Sequence, residues 1–437
     1  MSAAAGPATL AGLIAPELAA DDSRVAVVEP TRQITFTALD HEADRMGAAL
    51  LALGLRNGDR VLLWMESCAE WLAAVLGIAR AGCTLVTLDP AAGPGELARA
   101  LGQSRARVAI VSGRPIHGDR MPVLKEVAPQ CFRGEPGATH CSELPELRNV
   151  VVSGSDIPDG CFATTAAVGL GRGISRDRLV SRIINTDPCS AAWIAFGSAL
   201  DGRHRGIVLS HSALSARVGA LARLMGPATG PVLLAGSLSD VSTALVGSLV
   251  SLWRGASQVL VDATDVGEML GWIPRLSASE VVASPYVAHV LLRHPDRPRW
   301  GIERLALTVL HPAHLPIDPV GAQFRVDDAT SLIELVSCSE ATGPIATVWP
   351  PERSALLEGF DARVPLPSSD GSGLIEVKSA GLMLGYEGDE AATHKLIQDG
   401  WLALPVPGVV EADGTRVRFD AGVAAASPAV EHPSLLG

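Results

Sequence analysis

Residues 35–90, TFTALDHEADRMGAALLALGLRNGDRVLLWMESCAEWLAAVLGIARAGCTLVTLDP, decide the architecture. Leu39, Ala43, Met46, Leu50 and Leu53 recur at helical spacing until Gly54 stops them. A turn at Asn57, Gly58 and Asp59 follows, and Arg60 to Met65 is an apolar run of strand length. The unit then repeats: AEWLAAVLGIARAGC reads as a helix ending near Gly82, and TLVTLDP as a strand closed by Asp89 and Pro90. Helices alternating with short buried runs predict a parallel sheet covered on both faces.

The same alternation extends in both directions. GELARALGQSRARVAIVSG gives another helix, turn and strand, and between Arg114 and Arg182 the pattern loosens into a connecting region with one strand, Asn149 to Ser153. Alternation resumes with HSALSARVGALARLM as a helix and continues through PVLLAGSL, TALVGSLVSLWRGA, SQVLVDA, VGEMLGWIPRLSA, EVVASP, YVAHVLLRH and RLALTVLHP. After Pro351 short strands and turns predominate, SGLIEVKSAGLMLGY among them. The expected fold is α/β: two doubly wound, mostly parallel sheets layered with helices, plus a small β-rich subdomain. One large domain spans 1–425, with subdomains at about 1–190, 191–350 and 351–425, and an Ala/Ser/Pro-rich tail covers 426–437. The blocks on either side of residue 190 read as related halves.

Bulk properties exclude several functions. A formal charge of −12, with basic residues scattered along the chain, leaves no stripe to neutralise a nucleic-acid backbone, so no nucleic-acid partner is expected. No apolar run is long enough to span a bilayer and the N-terminus lacks a basic leader, so a cytoplasmic protein with no membrane partner is expected. Seven cysteines without a CxxC pair indicate reduced thiols packed as small apolar groups, neither a disulfide framework nor a zinc site.

The order of segments resembles the large N-terminal domain of the adenylate-forming superfamily, which includes acyl-CoA synthetases, luciferases and the adenylation domains of peptide synthetases. The resemblance runs from about Ile34 to Asp420 and is carried most fully by residues 35–90. It implies the fold and an ATP-dependent activation of a carboxylic acid. The short motifs that carry this chemistry in the family depart from its pattern one after another.

The family's phosphate loop usually reads Thr-Ser-Gly-Thr-Thr-Gly-x-Pro-Lys-Gly; here the register gives Gly197, Ser198, Ala199, Leu200, Asp201, Gly202, Arg203, His204, Arg205 and Gly206. Ser198, Gly202 and Gly206 survive as the vestige of a nucleotide site, with Arg203 and Arg205 as its cations. Ala199 and Leu200 remove flexibility and a hydroxyl. Asp201 puts an anion where a polyanion docks, and like charges ~4 Å apart repel by about 4 kcal/mol at an effective dielectric of 20. The bland alternative pairs Asp201 with the two arginines on a solvated turn.

The adenine-contacting Gly-Gly-Ala-Pro-Leu becomes His311, Pro312, Ala313, His314 and Leu315, its histidines read as surface loop residues. The segment Tyr-Gly-x-Thr-Glu becomes Val336, Ser337, Cys338, Ser339 and Glu340: the aromatic platform is lost, and Glu340 is the one candidate magnesium ligand. Where the family has Gly-Trp-x-x-Thr-Gly-Asp, gripping both ribose hydroxyls, Gly400 and Trp401 are followed by Leu404, Pro405 and Val406. The resemblance also implies a small C-terminal domain carrying a lysine, expected to be absent here. On the acyl side Asp240 and Cys338 fall in the acyl pocket, and with His211 as base, Cys338 or Ser339 offers a catalytic nucleophile.

Three functions are therefore weighed. The first is a degenerate acyl-CoA-synthetase-like protein that keeps the acyl cleft without ordinary adenylation and without a cofactor. It would bind a small-molecule acyl substrate, an acyl carrier protein or a partner enzyme in bacterial secondary metabolism. The second is an active acid-activating ligase using ATP and magnesium with a separate C-terminal domain, and the third an ATP-independent acyl transfer or cyclisation enzyme.

Overall fold

The computed structural model describes residues 7–113, 120–137, 140–261, 266–295, 305–315, 317–321, 331–349, 354–412 and 414–420. The expected tail at 426–437 lies outside them. The strand–helix alternation is present as read: Phe36–Ala52 and Ala69–Arg80 are helices, Arg60–Trp64 and Thr84–Thr87 parallel strands between and after them. Thr35 starts the first helix by accepting the Ala38 amide at 3.1 Å, and Ser210 starts His211–Met225 in the same way through Ala213.

Eight strands form the first sheet in the order Gly385–Tyr386, His204–Ser210, Ala191–Ser198, Thr84–Thr87, Arg60–Trp64, Val108–Ser112, Asn149–Ser153 and Phe162–Ala163. It is parallel except at the end where Ala191–Ser198, His204–Ser210 and Gly385–Tyr386 run antiparallel. Another eight make the second sheet, ordered Gly343–Trp349, Ser331–Cys338, Ala306–Pro312, Glu280–Ala283, Val232–Ala235, Gln258–Leu260, Val25–Glu29 and Arg32–Thr35, parallel inside and antiparallel at both edges. A five-stranded antiparallel sheet, built around Trp401–Val410, supplies the small β-rich part. A large apolar core joins all three, with Trp71 and Trp193 packed edge to face at 6.3 Å beneath the first sheet.

The sheets cross the boundaries expected near residues 190 and 350. Ala191–Ser198 and His204–Ser210 extend the first sheet rather than opening the second, and Val25–Thr35 completes the second from the N-terminal side. Between Arg114 and Arg182 the loosened pattern conceals helices Arg120–Val127, Thr164–Gly171 and Arg176–Ile184. Pro and small residues blunt the apolar periodicity of the first two, and the last buries only Leu179. Six of the cysteines are buried thiols as expected; Cys189 is exposed.

Candidate functional site

Parallel strands place ligands outside their carboxyl ends, and both sheets do so toward one cavity of about 580 Å³. The first sheet contributes Leu88, Asp89 and Ala195–Ser198; the second contributes Ala235–Ser237, Ser239–Thr243, Ser284, Leu310, Pro312, His314 and Ser337–Glu340 through its strand ends and the loops after them. Cross-sheet bonds hold the walls together: the Ser67 hydroxyl accepts the Leu238 amide at 2.9 Å, and the Thr87 hydroxyl donates to the Ser239 carbonyl at 3.4 Å.

The segment from Ser198 to His204 is a tight hairpin. Ser198 pairs with His204 across it, the Ala199 amide donates to the Arg203 carbonyl and the Gly202 amide to the Ala199 carbonyl. Gly202 keeps a left-handed φ of 74°, which the turn requires. Asp201 sits on the exposed tip. Its Oδ2 accepts from Arg205 Nε and Nη2 at 3.0 and 2.7 Å, while Arg205 Nη1 reaches Asp389 Oδ2 at 2.5 Å. The Arg205 guanidinium also stacks 4.9 Å from the centre of the Tyr386 ring. Partial burial raises the Asp201 carboxyl, but the Arg205 side chain and the Arg203 amide outweigh it, and the group is held below the usual range. The solvated-turn reading is thus present for Asp201 and Arg205, whereas Arg203 contributes its backbone amide at 3.1 Å. Gly206 is closely packed: a Cβ there would meet the Phe196 ring at 2.8 Å and Ile194 at 3.0 Å.

Glu340 is 1% exposed and engaged by the protein itself. Its Oε1 accepts the Leu200 amide and the Tyr386 hydroxyl, both at 2.8 Å, and its carbonyl accepts the Met383 amide. Burial raises its carboxyl above the usual range, with the Leu200 and Tyr386 donors opposing. The Leu200 backbone donor of this loop therefore serves Glu340. Among the described residues, the set of three donor side chains close enough to share an ion is Glu29, Cys68 and Glu70, where Arg32 already bridges both carboxylates.

The remaining candidates divide between the cavity and the core. Asp240, Ser339 and Cys338 line the cavity together with Ser198 and Glu340. Cys338 is 6% exposed, and burial, reinforced by Glu340, lifts its thiol well above the ordinary cysteine range, so it is protonated at neutral pH. His211, expected as its base, does not line the cavity: it is 1% exposed at the start of its helix, and its Nδ1 lies 3.4 Å from the Leu10 amide. The nucleophile–base pair is not assembled. Gly202, Arg203, Arg205 and Gly206 likewise stand outside the cavity lining.

Burial pushes the His211 imidazole down to about 4, Asp187 opposing. The folded pKa lies below the value of 6.5 for a free imidazole, so the unfolded chain takes up the proton first. Neutral His211 therefore adds stability above pH 6.5 that is lost as pH falls toward 4, by about 3 kcal/mol in all. Urea unfolding at the two ends of that range is expected to show this loss, and His211→Gln to remove most of it; an unchanged pH dependence in the variant would contradict the assignment.

Two expectations at the adenine segment need correction. His311 is a core residue, 2% exposed, whose Nε2 lies 2.5 Å from Glu334 Oε2; Glu334 also accepts the Val320 and Gly321 amides. His314, by contrast, does face the cavity. The strand Trp401–Val410 contributes nothing to the cavity among the described residues, since Leu404 and Val406 point into the core at 1% and 3% exposure. Sequence reading missed Asp89, Ser237, Ser239, Ser242 and Ser284; their signal was position, each lying at or just beyond the carboxyl end of a parallel strand.

An α/β frame whose two sheets aim their strand ends at one shared cleft is the architecture of adenylate-forming enzymes. The sequence profile of the AMP-binding enzyme family matches residues 17–386, and the chain belongs to that family. It is 24% identical over 391 residues to the 3-[(3aS,4S,7aS)-7a-methyl-1,5-dioxo-octahydro-1H-inden-4-yl]propanoyl:CoA ligase of Rhodococcus jostii strain RHA1, covering 86% of this chain and 72% of that one. Among solved structures, the anthranilate CoA ligase AuaEII in complex with anthranoyl-AMP superposes with a TM-score of 0.75 at 20% identity, over 96% of this chain and 78% of that one. The N-terminal domain of FACL13 from Mycobacterium tuberculosis gives 0.71 at 16% identity, over 94% of this chain and 99% of that one. These structural likenesses establish the fold.

Proposed function

We propose that this chain binds an acyl group, free or carried on a thiol-bearing arm, in the shared cavity, and that it does not carry out ordinary ATP-dependent adenylation. The observation that carries this reading is the closure of Glu340 Oε1 onto Leu200 and Tyr386, which commits one oxygen of the candidate magnesium ligand and a loop amide to each other. The lining supports it. Asp89, Glu96, Asp240 and Glu340 are carboxylates, and no lysine or arginine stands among the described lining residues. A triphosphate needs cations and amide donors at its oxygens, and the residues present do not fit Mg-ATP. A carrier protein or a partner enzyme in secondary metabolism belongs to this proposal, as does a cytoplasmic setting; no helix of the described residues is long and apolar enough to cross a membrane.

An active ligase is the competing reading, favoured by the Rhodococcus relative, itself a CoA ligase. Incubation with Mg-ATP, CoA and a panel of short, aromatic and medium-chain acids separates the two. The expected result is pyrophosphate release no faster than in protein-free controls; acid-dependent release would overturn the proposal in favour of the ligase.

A further inference from the structure

Two short helices on the outside of the first sheet, Thr164–Gly171 and Arg176–Ile184, present a face that is basic and apolar at once. Small residues fix both to the same turn of Phe36–Ala52: a Cβ on Gly171 would meet the Ala49 amide nitrogen at 2.7 Å, and a Cβ on Gly47 would meet Leu179 Cδ1 at 3.0 Å. Ser175 starts the second helix by accepting the Arg178 amide at 3.3 Å. On its solvent side Arg176, Val180 and Ile184 stand four residues apart, a single stripe about 12 Å long. Val180 and Ile184 are 40% and 74% exposed, and Leu170 on the neighbouring helix is 48% exposed. β-Branched residues at exposed helix positions lower helix propensity, so the fold by itself gains nothing from Val180 and Ile184. Four arginines against one aspartate between 172 and 182 concentrate positive charge in a chain whose formal charge is −12. Arg182 is tied down on Asn57 and the Leu55 carbonyl. Arg172, Arg176 and Arg178 are exposed and form no ion pair among the described residues.

We infer that Thr164–Gly171 and Arg176–Ile184 form a docking surface for an acidic amphipathic helix of a partner protein. Charge complementarity names the occupant: apolar side chains of that helix cover Leu170, Val180 and Ile184, and its carboxylates meet Arg172, Arg176 and Arg178. The straight stripe at four-residue spacing is the surface against which a second helix packs. Asp177 and the apolar side chains between the arginines disfavour a phosphate backbone, and Arg176–Ile184 carries no aromatic side chain to anchor in a bilayer. The surface also stands clear of the cavity. Arg182 bonds Asn57, just before Arg60–Trp64, and Thr186 lies against Gly82, just before Thr84–Thr87, whereas the cavity is at the opposite ends of these strands. Docking there leaves the cavity open and is independent of what the cavity binds.

Fluorescence anisotropy tests this with a fluorescein-labelled helical peptide of about 15 residues, leucines at three- and four-residue spacing and glutamates between them, beside a scrambled peptide of the same composition. Saturable binding is expected, at least about tenfold tighter than that of the scrambled peptide, and weakened at least about tenfold between about 0.05 and 0.5 M salt. Ile184→Ser and Arg176→Glu should each weaken it at least about fivefold with an unchanged unfolding temperature, while Leu366→Ser, at a residue exposed elsewhere, leaves it as it was. With Arg172, Arg176 and Arg178 all changed to glutamate, the chain should bind the lysine counterpart of the peptide instead. No saturable binding, equal binding of the scrambled peptide, or an affinity untouched by Ile184→Ser and Arg176→Glu would overturn the proposal. So would sedimentation with phosphatidylglycerol vesicles that Arg176→Glu abolishes, or a dimer in sedimentation equilibrium that Arg176→Glu disperses; these assign the face to a membrane or to a second copy of this chain.

Discussion

Replacing Glu340 by alanine is expected to lower the free energy of unfolding by about 4 kcal/mol in metal-free, nucleotide-free buffer. The carboxylate receives two donors from distant parts of the chain, the Leu200 amide and the Tyr386 hydroxyl. Hydrogen bonds to a charged acceptor contribute about 1.5 to 3 kcal/mol each, and truncation leaves both donors buried and unpaired. Glu340→Gln keeps an acceptor oxygen and should lose roughly a third as much. Denaturant unfolding of the two variants reads the difference directly. Were Glu340 held in reserve for a metal, removing it would leave the stability of the ligand-free protein unchanged.

A second large loss is expected from Val406→Asp, which restores the carboxylate that the family places on ribose. Val406 is 3% exposed on Trp401–Val410, where Leu402, Leu404 and Val406 alternate inward against Ile375 and Val377 of the neighbouring strand. An aspartate there must be buried without a partner or protonated, and a loss of about 4 kcal/mol or more follows. Thermal unfolding should fall sharply while nucleotide affinity does not appear. A stable variant that gained affinity for ATP would show that this strand faces the cleft.

Much of the frame was legible because it is written locally. The helix His211–Met225 and the strand Asn149–Ser153 follow from apolar spacing and the caps and turns around them. The helices within 120–184 were not: Arg120–Val127 and Thr164–Gly171 are short and carry little apolar periodicity, and Arg176–Ile184 buries only Leu179. Within the site, Ser198, Asp240, Cys338 and Glu340 come from separate stretches of the chain and line one cavity. What local reading did not supply was pairing across the chain. Glu340 meets a donor 140 residues away, and His311 finds Glu334 on an adjacent strand. The direction in which His211 points is likewise set by helix packing rather than by its neighbours in sequence.

Loss of the nucleotide site is the claim on which the functional reading stands, and calorimetric titration of the intact chain with Mg-ATP tests it most directly. A cleft whose loop amide and carboxylate are already spent on each other should give no saturable heat up to about 1 mM, corresponding to less than about 4 kcal/mol of binding. Saturable binding in the micromolar range, weakened by Glu340→Gln, would contradict it.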